Sequence, residues 1–382
     1  MKIAVLSSHT PSLFWSRMDM MYSFKEQGHE VVAIGNESED IWVTKFAEHG
    51  IKYISAEISR NGTNPISDLK TLKSLKSILK QEMPDKLFTY QAKTVIYGGI
   101  AANALGITEV YPLIAGIGSV FLSDGLKSKI VRFILKTEYR FAMRKSPKVF
   151  FQNNDDVKVF TDNKIINNDR VVLLNGSGVN LEKFTQKPLP DGNTFLCISR
   201  LIKDKGVFEY LQAARIVKSK YPKARFLLVG PYDSNPSALK PEELQPYIDN
   251  GIIEYFGEAE DVRPYLEMCN VFVLASYREG TPKTVLEAMA TGRAIITTDA
   301  AGCRETVTNG ENGFLVPIKD VEALANAMID LIEKPEQISQ MAQKGLELVS
   351  QKFDVNIINH KINITMNLMK EEINYVTLSK NC

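Results

Sequence analysis

The chain has 382 residues, 44% of them hydrophobic and 24% charged, which is too long for one ordinary domain and right for two with real cores. Its formal net charge of +1 excludes a general nucleic-acid binder, so any affinity for an anionic surface has to come from a local cluster. Its four cysteines (Cys197, Cys269, Cys303 and Cys382) form no C-x-x-C pair and its four histidines (His9, His29, His49 and His360) show no metal-ligand spacing, which argues for a reducing compartment and against a zinc site.

In chain order, Met1-Lys2 leads straight into a strand at Ile3–Leu6, not into a signal peptide. A helical stretch from about Phe14 to Gln27 stops at Gly28, strand Val31–Ile34 follows, a second helix runs to about His49, and Ile51–Ser55 is again a strand. Ser67–Met83 places Leu69, Leu72, Leu75, Ile78 and Leu79 on one face and Lys70, Lys73, Lys76 and Lys80 on the other, which reads as a helix with a solvated lysine face. Leu87–Tyr90, Val110–Ala115 and Val149–Phe151 are further strands. This alternation predicts a parallel sheet covered on both faces. No run of about 18 apolar residues occurs, so no transmembrane helix is expected.

Polar residues and glycines collect after the strand ends, where open parallel sheets bind ligands. Ser7–Ser12 contains His9 and Pro11 but no G-x-G-x-x-G, which disfavours a dinucleotide site. Arg60–Pro65 reads RNGTNP, Gln91-Ala92-Lys93 follows another strand, and Gly116-Ile117-Gly118-Ser119 a third. Arg17, Arg60 and Lys93 are positioned to make the resulting cleft positive. Leu126–Lys145 then repeats Lys129, Arg132, Lys136, Arg140 and Arg144 every three or four residues, with Ile130, Phe133, Ile134, Phe141 and Met143 alongside. Such a stripe is either a solvated helix packed on its own sheet or a helix resting on an anionic membrane face.

Asn175–Asn180 reads NGSGVN, and the proline-containing stretch Lys187–Gly192 after it is the best domain boundary and the expected hinge. The domains are therefore set at 1–186 and 187–353, with a last helix from about 354 to 382 crossing back onto the first. The second half restarts the alternation with strand Phe195–Ser199, then Arg200 at its end, Lys205 before a helix to about Lys220, and strands Phe226–Val229 and Ile252–Phe256 ending at Gly230 and Gly257. Cations at a helix start oppose its dipole, so Arg200 and Lys205 suggest a bridging anion. Val271–Ala275, Ala294–Thr298 and Phe314–Val316 are later strands, and Asp320–Glu333, Pro335–Ser350 and Asp354–Met369 look helical.

The stretch after Val271–Ala275 organises the rest. It reads REGTPKTVLEA over Arg278–Ala288 and sets Glu279 and Glu287 on either side of a helix start. Thr281 is expected as N-cap and Pro282 as first helical residue, with Gly280 allowing a sharp turn before them. The free amides of Lys283 and Thr284 would then face an anion.

Arg200, Lys205, the glycine loop at Gly178 and the E-x₇-E spacing of REGTPKTVLEA together resemble the family 4 retaining glycosyltransferases, over essentially the whole chain. Arg60–Pro65 with Asp68, Tyr90–Gly98 and Gly116–Phe121 are similar to a bacterial subgroup that adds N-acetylhexosamine-type sugars to polyprenyl-diphosphate-linked sugars in capsule, O-antigen and N-glycan assembly. Ser8-His9-Thr10 stands where many members carry glycines. The resemblance implies an α/β protein of GT-B fold, two Rossmann-like doubly wound parallel-sheet domains facing a cleft. It implies a nucleotide-sugar donor with uridine as base, a polyprenyl-diphosphate-linked acceptor, and a place in the cytoplasm on the inner face of the cell membrane. It also implies that Glu279 contacts the donor sugar, that Glu287 holds the ribose, and that Gly257, Thr281, Pro282, Lys283, Thr284 and Val285 line the donor site. Candidate acceptor-binding residues are His9, Arg17, Arg60, Asn64, Lys93 and Gly118, and candidate membrane contacts are Lys129, Arg132, Lys136 and Arg140.

The chemistry fits that assignment. Breaking the anomeric C–O bond of a nucleotide sugar leaves negative charge on the departing diphosphate, and something cationic has to meet it. Many transferases use a metal on an Asp-x-Asp pair, which this sequence lacks. Arg200, Lys205 and the amides after Thr281 are the expected substitute, with no metal or other cofactor. Two other functions remain open at this level: a nucleotide-sugar 2-epimerase of the same architecture, and a non-catalytic sugar-nucleotide-binding module.

Overall fold

The computed structural model describes residues 1–59, 64–117, 126–233, 235 and 237–369. The first sheet takes β1 (Lys2–Leu6), β2 (Glu30–Gly35), β3 (Lys52–Ser55), β4 (Lys86–Tyr90), β5 (Val110–Ile114), β6 (Val149–Phe151) and β7 (Val171–Leu173). The second takes β8 (Thr194–Ile198), β9 (Arg225–Val229), β10 (Glu254–Tyr255), β11 (Val271–Leu274), β12 (Ala294–Thr298) and β13 (Gly313–Val316). Their orders are β3-β2-β1-β4-β5-β6-β7 and β10-β9-β8-β11-β12-β13, with every pairing parallel. In each sheet the order reverses beside the first strand, which puts a ligand crevice between β1 and β4 and another between β8 and β11.

The first-domain helices are α1 (Thr10–Glu26), α2 (Glu39–Ala47), α3 (Pro65–Glu82), α4 (Ala92–Leu105), α5 (Leu126–Met143) and α6 (Asn154–Asp162). Those of the second are α7 (Val207–Lys220), α8 (Pro241–Asp249), α9 (Arg263–Glu267), α10 (Lys283–Ala290), α11 (Val321–Glu333) and α12 (Pro335–Leu348), and α13 (Val355–Thr365) follows. The lysines of α3 at 70, 73, 76 and 80 are exposed while Leu75 and Leu79 are buried, as the pattern predicts; Leu69, near its start, is exposed instead. Helix α4 occupies a stretch to which the sequence pattern assigns no element, and it carries Gly98-Gly99 although glycine disfavours a helix interior. Close packing is what those glycines serve. A side chain on Gly98 would meet Leu6 of β1 at 2.7 Å, and one on Gly99 the Ala142 carbonyl oxygen of α5 at 2.8 Å.

The chain passes between the domains twice, side by side. Val179 N donates to Phe353 O at 2.8 Å and Val355 N to Val179 O at 3.0 Å. Beyond the return, Ile358, Ile362, Met366 and Leu368 share a core with Met18, Met21 and Phe24 of α1, and His29 Nε2 pairs with Leu368 O at 2.8 Å. The stretch Lys187–Gly192, expected to hinge, is instead fixed to the second domain. The buried Arg293 guanidinium donates to Lys187 O at 3.2 Å and Pro188 O at 3.1 Å, and Asn270 Nδ2 donates to Pro190 O at 2.7 Å. The interdomain crossings lie at Val179 and Phe353–Val355. Among the described residues no helix is long and apolar enough to cross a membrane.

Candidate functional site

At the carboxyl edge of the second sheet, β8 leads through Arg200 into a short 3-10 turn at Lys203–Lys205. Gly206 closes that turn with φ +68°, and a side chain there would overlap the Ala275 carbonyl at the end of β11. Only glycine meets both demands. Asp204 O accepts from Ser276 Oγ at 3.1 Å and from Tyr277 N at 2.9 Å, which ties the turn to the loop after β11. Lys205 is thereby brought to Glu279: its Nζ ion pairs with Glu279 Oε1, the side chains being 22% and 13% exposed. Arg200 does not join them directly. Its Nη1 pairs with Asp233 Oδ2 at 2.8 Å, on a more exposed part of the same edge.

The helix start differs from expectation by one residue. Pro282 is extended (φ −71°, ψ 110°) and caps α10, whose first residue is Lys283. Thr281 caps nothing, because its Oγ1 donates to the Gln152 carbonyl of the first domain at 3.1 Å. No side chain caps α10, and the first bond back along the chain is Val285 N to Pro282 O at 3.1 Å. The amides of Lys283 and Thr284 therefore precede the hydrogen-bonded turns and present the positive helix end. Glu287, 7% exposed, faces Lys283 Nζ at 3.6 Å. Burial pushes its carboxyl above the ordinary range, with Lys283 only partly offsetting it. Lys283 Nζ also donates to Trp15 O of α1 at 3.0 Å across the cleft. Gly257, in the left-handed region at φ +73°, accepts from Gly230 N at 2.7 Å and has open space above its Cα.

Across the cleft, His9 caps α1, its Nδ1 accepting from Ser12 N at 3.3 Å. Gln91, at the end of β4, holds a positive φ of 75° without being glycine. Its Oε1 accepts from Ser7 Oγ at 3.0 Å, Ser8 N at 2.9 Å and Ser8 Oγ at 2.8 Å, so the loops after β1 and β4 are laced together at the crevice. Nothing in the sequence marks Gln91 for this, since its conformation is set by that lacing. Arg17 does not line the cleft as expected. It is buried, with its guanidinium 4.7 Å over the Tyr90 ring, and its Nε has no hydrogen-bond partner among the described residues. Burial lowers the Arg17 pKa and raises that of Tyr90. Asn64 caps α3 through Ile66 N at 3.0 Å, and Lys93 ion pairs with Asp68. Arg60 and Gly118 lie outside the described residues.

The basic helix divides along its length. Its second half packs inward through Tyr139, Ala142 and Met143, while Ile130, Phe133 and Ile134 stand exposed in its first half. Lys129 is exposed, and Arg132 and Lys136 are half-buried beside them. Arg140 is turned away, donating to Lys164 O at 2.9 Å and Asn163 O at 2.7 Å. Among the described residues, no group of three or more His, Cys, Asp or Glu is placed to hold a metal ion.

Residues 192–334 match the family described as glycosyl transferases group 1, and residues 2–153 match glycosyl transferase 4-like. The N,N'-diacetylbacillosaminyl-diphospho-undecaprenol alpha-1,3-N-acetylgalactosaminyltransferase of Campylobacter jejuni is 29% identical over 94% of this chain and 96% of its own. The UDP-Gal:alpha-D-GlcNAc-diphosphoundecaprenol alpha-1,3-galactosyltransferase of Escherichia coli is 27% identical over 69% of this chain and 70% of its own. Among solved structures, sucrose-phosphate synthase from Thermosynechococcus elongatus superposes with a TM-score of 0.78 at 20% identity, over 96% of this chain and 98% of that one. An Anabaena protein solved with UDP and glucose gives 0.75 at 18% identity, over 96% and 99%.

Proposed function

Because this chain is a family 4 glycosyltransferase of GT-B fold, with a glycosyl transferase 4-like first half and a glycosyl transferases group 1 second half, we propose that it moves a sugar from a UDP-sugar to a polyprenyl-diphosphate-linked sugar, with retention and without a metal. The observation that carries the reading is the Lys205–Glu279 pair standing at the same sheet edge as the uncapped start of α10. Lys205 and the amides of Lys283 and Thr284 meet the departing diphosphate, and Arg200 reaches it by exchanging Asp233 for the anion. Charge-assisted hydrogen bonds of this kind are worth about 1.5–3 kcal/mol each in the ground state and more in a closed cleft. Glu279 accepts from the donor sugar's hydroxyls, and Glu287 accepts from both ribose hydroxyls. Attack comes from the leaving-group face, with the departing phosphate as base.

The names of the Campylobacter and Escherichia relatives support an undecaprenyl-diphosphate-linked acceptor, and that of the first supports an N-acetylhexosamine donor. In this chain the acceptor lies over the crevice between β1 and β4, beside His9, Asn64 and Lys93, with the buried charge of Arg17 beneath Tyr90. Radiolabelled UDP-sugars supplied with and without polyprenyl-diphosphate sugar test the whole reading. Transfer that requires both substrates is expected. Conversion of the nucleotide sugar alone, or binding with no turnover, overturns it.

Glu287 illustrates a cost of the site. Its folded pKa is raised, so its contribution to stability is fully present below the unfolded value and lost as pH rises through the folded one. Glu287→Gln is therefore expected to raise the melting temperature at neutral pH while weakening UDP affinity about tenfold, as loss of a hydrogen bond to a charged partner implies. Melting curves and titration calorimetry on the same variant check both signs.

The protein docks peripherally on the inner face of the cell membrane through the first half of α5, where exposed Ile130, Phe133 and Ile134 adjoin Lys129 and Lys136. Each such charge near an anionic surface contributes about 1 kcal/mol, so Lys129→Gln with Lys136→Gln is expected to lower partitioning onto anionic vesicles about 30-fold. Unchanged co-sedimentation would leave α5 as ordinary domain surface.

A further inference from the structure

The loop carrying Glu279 belongs to the second domain, yet much of what holds it comes from the first. Asn153 Nδ2 donates to the carbonyl oxygens of Glu279 and Gly280, each at 3.1 Å, and to Asp156 Oδ2 at 3.1 Å. Asn153 Oδ1 accepts from Asp156 N at 2.7 Å, so the side chain that caps α6 also grips the loop. Asp156 ion pairs with Arg278, its side chain wholly buried and that of Arg278 14% exposed. Thr281 Oγ1 donates to the Gln152 carbonyl. A side chain on Gly280 would collide with Gln152 and with the Ala115 backbone. Four consecutive residues, 278 to 281, thus dock on the ends of β5 and β6 and the start of α6. Their own domain supports them from the other side, where Glu279 N donates to Ala301 O at 2.8 Å and Gly302 leaves room for the Glu279 carbonyl.

A carboxylate with no exposure is costly unless it is paired, and its partner here lies in the other domain. The contacts that fix Lys205, by contrast, come from the second domain, through Gly206, Ser276 and Tyr277. Lys205 is therefore held by the second domain alone, and the loop of Glu279 by both domains.

We propose that Asn153 and Asp156 are positioning residues that set Glu279 against Lys205, so that the sugar end of the donor site is complete only while the domains abut at this edge. If they part there, Arg278 loses its partner and the main chain of Glu279 and Gly280 loses two bonds. Lys205, the start of α10 and Glu287 stay where they are. Diphosphate binding and sugar transfer then respond differently to the same change. The catalytic consequence rests on the function proposed above; the structural one does not.

The test uses the full chain with Asp156→Asn and, from the opposite domain, Arg278→Lys. Hydrogen exchange over residues 278–281 is expected to quicken about tenfold in both, with the start of α10 and the rest of the second domain unchanged, because local opening is what the link prevents. The kcat for transfer is expected to fall about 100-fold, as a small misplacement of a site group implies. The Kd for UDP should stay within about twofold, and the double variant should be no worse than either single one, as for residues acting as a unit. A merely structural role would lower kcat and UDP affinity together, along with general protection from exchange. Unchanged exchange at 278–281 in either folded variant overturns the link. Quickened exchange with normal kcat overturns the positioning role. Should the wild type transfer no sugar to any acceptor, the function reading fails by itself, and exchange still decides the link.

Discussion

Lys205→Ala is expected to lower the transfer rate by roughly 100- to 1,000-fold, the usual cost of removing one preorganised donor from a site where negative charge develops. The geometry concentrates the loss in the transition state. Lys205 stands at the end of a turn fixed by Gly206, and its ammonium already faces the loop of Glu279. It costs no reorganisation when the diphosphate departs. Deleting it also leaves Glu279, only 13% exposed, without its cation, and that carboxylate then repels the leaving group. The fold has little at stake, because Lys205 packs into neither hydrophobic core. Steady-state kinetics with melting curves separate the two. A stable variant with near-normal kcat would remove Lys205 from the diphosphate role.

Arg293→Met is expected to have the largest effect on stability and little on chemistry. The side chain is wholly buried and donates to the carbonyls of Leu266 at 2.8 Å, Pro188 at 3.1 Å, Lys187 at 3.2 Å and Gly292 at 3.4 Å. Burial lowers its pKa, so the charge is retained at a cost that these acceptors offset. Methionine fills part of the volume and satisfies none of them. Leaving buried acceptors unmatched points to a loss of about 3–5 kcal/mol. At about 2–4 °C per kcal/mol this lowers the melting temperature by roughly 6–20 °C. The neighbouring pair of Lys187 with Glu267 is a control. Both partners are more than two-fifths exposed, and Lys187→Met should change stability by about 0.5 kcal/mol or less. A melting temperature for Arg293→Met within 2 °C of the wild type, about 1 kcal/mol or less, would show that the linker is held by other contacts.

Residues near one another in sequence carry most of what could be read beforehand. Runs such as Ile3–Leu6 and Val271–Leu274 are apolar throughout because helices cover both faces of each sheet, and they stand out against the amphipathic stretches between them. The Lys205–Gly206 turn and the E-x₇-E stretch are likewise local, and they fall at strand carboxyl ends where the sheet order puts a crevice. What escaped is long-range. Thr281 has the chemistry of an N-cap but spends its hydroxyl on Gln152, 129 residues away in sequence. Arg200 takes a partner from beyond β9, and Arg17 is pulled under Tyr90 by the core of its own domain. Helix α4 went unassigned, and its Gly98-Gly99 pair makes sense only beside the β1 and α5 neighbours that the sequence does not show. Asn153 and Asp156 sit in an unremarkable polar run, NNDD, which reads as a helix cap and whose contacts with Arg278, Glu279 and Gly280 exist only once the second domain is docked.

The account depends on fixed cations and an open helix start meeting the departing diphosphate without a metal. The most direct measurement is the initial rate of sugar transfer with purified protein, first with excess EDTA and then with magnesium or manganese restored. The account predicts the same rate, within about twofold, in all three conditions, since the charge stabilisation comes from the chain. Transfer that disappears with the chelator and returns with the metal would contradict it.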